Sequence, residues 1–146
     1  MVNDAIKDIN LEGCATEEYV DNKAKNHYVV AGRKVDTAAG ERSTAEGKDT
    51  TASGYTSHAE GYMTSALGRA SHSEGGNSKT GAGAEYAHAE GNNTSALNKY
   101  SHAEGSGSTA GDEDNTNAYA MHAEGINTAA RGSGAHTEGV GTLAEA

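Results

Sequence analysis

Ser57-His-Ala-Glu-Gly-Tyr-Met-Thr-Ser-Ala-Leu-Gly-Arg-Ala-Ser-His-Ser-Glu-Gly75 contains one complete repeat and the opening of the next. His-x-Glu-Gly begins at His58 and returns at His72, 14 residues later. It returns again at His88, His102, His122 and His136, and a seventh copy at Thr44 has Thr in place of His. Start-to-start spacings from Thr44 are 14, 14, 16, 14, 20 and 14. The period is therefore 14, with two residues inserted within Ser78–Ala87 and six within Gly111–Ala120. Self-similarity at a fixed period is the signature of a stacked-repeat architecture.

Halfway along each period lies a looser motif, as in Thr64-Ser-Ala-Leu-Gly68 and Thr94-Ser-Ala-Leu-Asn98. Both motifs reduce to Ser/Thr-x-Ala-x-Gly, so one coil reads as two short strands joined by two-residue links. Side chains alternate across a strand. Ser57, Ala59 and Gly61 are therefore expected on one face, with His58 and Glu60 on the other. The small face suits the narrow interior of a flat coil, and Ala59, Ala66, Ala89, Ala96, Ala103 and Ala123 are assigned to it. Ala also recurs every seven residues, which admits a coiled coil. A Gly two residues later in most heptads argues against it, because each costs about 1 kcal/mol inside a helix.

The rest of the composition agrees. From Val30 onward the large aliphatics are only Val30, Val35, Leu67, Leu97, Ile126, Val140 and Leu143, and the chain of 146 residues has no Phe, Trp or Pro. Such a set cannot fill a conventional core. A net charge of −10, with no basic stripe, disfavours nucleic acid and anionic membranes as partners. No apolar run is long enough to span a bilayer, and Met1–Asn10 lacks a signal-peptide pattern. Cys14 is the only cysteine, so no internal disulfide is expected.

The small interior offsets little of the entropy lost in ordering each coil. Burial of one strand face against sister chains supplies the missing area, so an oligomer is expected. The Ser/Thr-x-Ala-x-Gly units at a 14-residue period resemble the head repeats of YadA-like trimeric autotransporter adhesins. That resemblance implies an all-β, homotrimeric, left-handed parallel β-roll of about eight coils over 30–146. Ala15-Thr-Glu-Glu-Tyr-Val-Asp-Asn-Lys-Ala24 resembles a segment near the start of phage and prophage tail-fibre proteins. It reads as a helix with Thr16 as N-cap, which makes 1–29 an attachment or trimerisation segment. The implied function is a structural, adhesive tail fibre that meets neighbouring fibre proteins and a host receptor or glycan, located in a virion. The alternative is the head of a bacterial surface adhesin.

Six regular His-x-Glu pairs invite a metal or acid–base reading. Catalysis, however, needs a singular constellation in a pocket, and a stacking repeat reproduces whatever residue suits one coil. No enzyme activity, catalytic residue, metal or cofactor is therefore assigned. His58, Glu60, His72, Glu74, His88, Glu90, His102, Glu104, His122, Glu124, His136 and Glu138 are expected to line an interface between chains. The invariance of these positions motivates that expectation, because outward positions of the other strand vary freely: Ser53, Leu67, Leu97, Arg131 and Glu145. The larger insertion, with Asp112, Glu113, Asp114 and Asn115, is a candidate recognition loop. Tyr55, Tyr86, Tyr100 and Tyr119 are expected at coil corners, where a tyrosine can stack on a sugar ring.

Overall fold

A computed structural model describes residues 39–145 together with the backbone of 28–29. The helix expected over Thr16–Lys25 lies outside the described residues.

Fifteen strands wind into a parallel β-solenoid. The first is β1 (Tyr28–Val29). Seven longer strands carry the His-x-Glu-Gly motif: β2 (Thr44–Lys48), β4 (His58–Tyr62), β6 (His72–Gly76), β8 (His88–Asn92), β10 (His102–Ser106), β12 (His122–Ile126) and β14 (His136–Val140). Each is followed by a two-residue strand: β3 (Thr51–Ala52), β5 (Ser65–Ala66), β7 (Lys79–Thr80), β9 (Ser95–Ala96), β11 (Thr109–Ala110), β13 (Ala129–Ala130) and β15 (Leu143–Ala144). The long strands and β1 form one eight-stranded sheet, and the short strands a second of seven. Seven coils are thus complete. β1 extends the first sheet by pairing Tyr28 with Thr44 and Val29 with Ala45, two residues ahead of the start expected from the repeat.

Every pairing is parallel and in register, so like residues stack. His58 sits opposite His72, Glu60 opposite Glu74, and Gly61 opposite Gly75. The two- and six-residue insertions leave this register undisturbed, for His72 pairs with His88 and His102 with His122. The insertions bulge outward at the coil edge instead.

The interior is filled by alanine and hydroxyl side chains. Ala59, Ala66, Ala89, Ala96, Ala103 and Ala123 are all fully buried, as the alternation requires, and Thr50, Thr64, Thr94 and Thr128 also point inward. The Ser that opens four of the seven long-strand motifs, at Ser43, Ser57, Ser71 and Ser101, closes the preceding turn. The Ser57 hydroxyl donates to the Gly54 carbonyl at 2.8 Å, and Ser71 and Ser101 make the equivalent bond to Gly68 and Asn98 at 2.7 Å. In the coils that follow the two insertions this Ser is replaced by Ala87 and Met121, both buried. Met121 is the largest fully buried side chain described.

The glycine of His-x-Glu-Gly departs from the expected inward face. Gly61 is exposed and has φ +108°, which ends the strict alternation and turns the chain outward. A Cβ there would collide with the carbonyl oxygen of Gly75 in the next coil. The motif therefore needs glycine both for its backbone conformation and for the closeness of the stacked coils.

Candidate functional site

Alternation places His58 and Glu60 side by side on the outer face of β4, and the register repeats that pair up the sheet. The result is a column of imidazoles beside a column of carboxylates. Consecutive His rings from His58 to His122 stack with centroids 4.8–5.0 Å apart, one inter-strand spacing. His136, at the end of the described column, is tilted by 57° from His122. The twelve His and Glu residues from His58 to Glu138 pair in register along this face. The carboxylate column begins one coil earlier, at Glu46, which pairs with Glu60. The copy at Thr44 carried that signal, although its missing histidine left it out of the expected set.

Within four of the strands the two side chains lean together without closing a hydrogen bond. The His72 Nε2–Glu74 Oε2 distance is 3.5 Å, and the equivalents at His58, His102 and His122 are 3.7, 3.7 and 3.8 Å. The Nε2 atoms of His58, His72, His88, His102 and His122 are buried and have no hydrogen-bond partner. Burial, reinforced by the stacked imidazole of His58, lowers the pKa of His72 from its ordinary value. Burial also lowers those of His88 and His122, with neighbouring histidines on both sides adding to the effect. Glu74 is shifted upward, first by burial and then by the carboxylate of Glu90, with Glu60 contributing. Stacking identical groups one strand apart adds to the effect of burial in both columns, since like charges disfavour ionisation.

The glycine column leaves no side chains beside the carboxylates. A shallow groove of about 340 Å³ runs there, lined by Glu46, Glu60, Glu74 and their following glycines. Among the described residues, two clusters bring three potential metal-ligating atoms within 4.8 Å of one another: His72, Glu74 and His88, and Glu46, His58 and Glu60.

A second set of features gathers on the edge where the chain passes from the short-strand sheet to the next long strand. Both insertions lie here, after β7 and after β11. Between them is a cleft of about 300 Å³ over Leu67 and Leu97, closed on one side by a Lys79–Glu113 ion pair at 3.1 Å. Asn98 anchors the larger loop: its Oδ1 accepts from the Asp112 N–H at 2.7 Å, and its Nδ2 donates to the Asn115 carbonyl at 2.9 Å. Asp112 in turn accepts from the Asp114 N–H at 2.9 Å. These carboxylates are thus engaged in holding the loop's own shape and its neighbour Lys79.

Four of the five tyrosines with described side chains share the same edge. Tyr55, Tyr86, Tyr100 and Tyr119 are exposed, and Tyr86 and Tyr100 stack nearly parallel at 5.5 Å. Tyr100 and Tyr119 border a further hollow, with Lys99 and Asn117, of about 410 Å³. The opposite edge is regular and carries no insertion.

Comparison with protein-family models, with curated proteins and with solved structures finds no match to this chain.

Proposed function

We propose that this chain is a structural and adhesive fibre element, a homotrimeric shaft or head of a phage or prophage tail fibre. In this reading the His–Glu face turns toward the sister chains, and the edge bearing the tyrosines and insertions is presented to a host surface. The observation that carries the proposal is the row of five buried imidazole nitrogens without hydrogen-bond partners, beside a column of carboxylates, repeated in register along one sheet. Buried polar groups without partners are costly. A sister chain with the same column can donate to and accept from these groups at every coil, so one contact solution repeats along the rod. The edge with the insertions supports the presenting role, because irregular loops and exposed aromatics on a rigid scaffold are the usual material of recognition.

Native mass spectrometry or light scattering on the full chain tests the assembly. The expected mass is about three times the 14.8 kDa of one chain. Replacing His88 and His102 together by Asp should shift the population to monomer by adding like charge to the column, whereas Arg131→Ala on the other sheet should leave the trimer intact. A wild-type chain that stays monomeric at micromolar concentration overturns the proposal.

A further inference from the structure

We propose that the junction of the third and fourth coils, where His72, Glu74 and His88 converge, is a binding site for one divalent transition-metal ion of the zinc or nickel class. The inference does not depend on the fibre reading, since all three ligands come from one chain.

The donor set is the first argument. Two imidazoles and one carboxylate are a recognised zinc ligand set that leaves a fourth position for water or another group. Imidazole nitrogen favours zinc, nickel and copper over calcium and magnesium, which prefer oxygen alone. The other cluster, Glu46, His58 and Glu60, offers only one imidazole and is the poorer candidate.

Geometry is the second. The three ligating atoms lie within 4.8 Å of one another. Bonds of 2.0–2.2 Å to a common tetrahedral ion place the ligating atoms about 3.3–3.6 Å apart. Rotation of half-buried side chains covers that contraction without moving the backbone, whose register is held by the ladder from β6 to β8.

The third argument is what the ion would relieve. The Nε2 atoms of both His72 and His88 are buried with no partner. The His72–Glu74 approach is the shortest of the four close His–Glu pairs, and its side chains are the least exposed of those four, at 33% and 30%. Glu74 is stacked directly between Glu60 and Glu90. A divalent cation satisfies the two nitrogens and offsets the carboxylate repulsion together. The glycine-lined groove beside Glu46, Glu60 and Glu74 gives it a path from solvent.

The test is calorimetric titration of the chelator-treated full chain with zinc sulfate, with native mass and circular dichroism recorded on the same samples. One zinc per chain is expected to bind with micromolar or tighter affinity. His72→Ala with His88→Ala should abolish that binding, Glu74→Gln should weaken it at least about tenfold, and His136→Ala should leave it unchanged. A tenfold excess of calcium should not compete. On the wild-type protein, zinc should shift the ring-proton resonances of His72 and His88 ahead of those of the other histidines, a readout that survives if a variant misfolds. Wild-type affinity weaker than about 1 mM, equal binding by the double variant, displacement by calcium, or first shifts at other histidines each overturns the site. Loss of the trimer with zinc binding retained would count against the fibre proposal alone.

Discussion

At the scale of single residues, the chain uses very few side-chain types because each position meets a different steric limit. Ala103 is fully buried between two sheets that leave room for a methyl group and little more. Ala103→Leu is therefore expected to cost roughly 1–3 kcal/mol through overpacking, seen as a lower thermal midpoint. Ser65→Leu is expected to change it little, because Ser65 points outward beside Leu67. Equal losses at both positions would contradict the inside–outside assignment. The interior and exterior sets were legible because strand alternation writes them directly into a period of two. The role of the motif glycine was not, because a collision with the next coil's carbonyl is a property of stacking and leaves no mark within one strand. The tight corners were half legible. One edge places Asp49, Asn77, Asn93 and Asn127 at positive φ, residues that tolerate that conformation, with Met63 the exception. The other edge uses Arg42, Thr56, Ala70, Tyr86, Tyr100 and Ala120, which give no such signal.

At the scale of strands and loops, the stacked columns and the insertions are the features open to test. His72, His88 and His122 have folded pKa values below the unfolded value of about 6.5. The unfolded chain then binds more protons than the folded one as pH falls through that value, so stability falls with it. In chelator-treated protein the thermal midpoint should drop between about pH 7.5 and 5.5, and replacing these three histidines by Gln should flatten the profile. Glu74 works in the opposite sense. Its raised value means that the folded state gains relative stability on acidification through the carboxylate range, near and above 4.5. Glu74→Gln should remove that relief. A profile that rises on acidification from pH 7.5 to 5.5 would contradict the histidine assignment. The larger insertion is a separate matter. Removal of Asp112–Asn117 restores the 14-residue period and should keep the solenoid, at a cost of about 1–3 kcal/mol, because it orphans the buried amide of Asn98. Adding Asn98→Gly, the residue found at the equivalent positions Gly54 and Gly68, should recover most of the loss. If the loop deletion unfolds the chain in both backgrounds, the loop is part of the core. The insertion's length was readable from the interrupted period, whereas its anchor on Asn98 was not, because Asn98 only looked like a lapse from the Gly of the looser motif.

At the scale of the whole molecule, the coil is the unit of change. Each coil contacts its neighbours above and below, so stability should approximate a sum over coils and their interfaces. Excising 14 residues, His58–Ser71, joins Ser57 to His72 and preserves every column. It should lower stability by about one coil's share and leave the circular dichroism per residue unchanged. Excising seven, Thr64–Ala70, sends every later long strand into the short-strand sheet and should prevent folding. Equivalent behaviour of the two would refute the coil as the repeating unit. The direction of the ladder has a mechanical side as well. Strands run across the rod and their backbone hydrogen bonds run along it, as in the His58 N–H to Ser71 carbonyl bond at 2.9 Å. A pull along the axis therefore loads those bonds a rung at a time and does not shear many together. Each coil adds about 4.8 Å to the rod but stores roughly 46–50 Å of extended chain. Tension on a single strand of this material would peel it coil by coil, with a sawtooth of small, evenly spaced releases, lengthening it about tenfold before the chain draws taut.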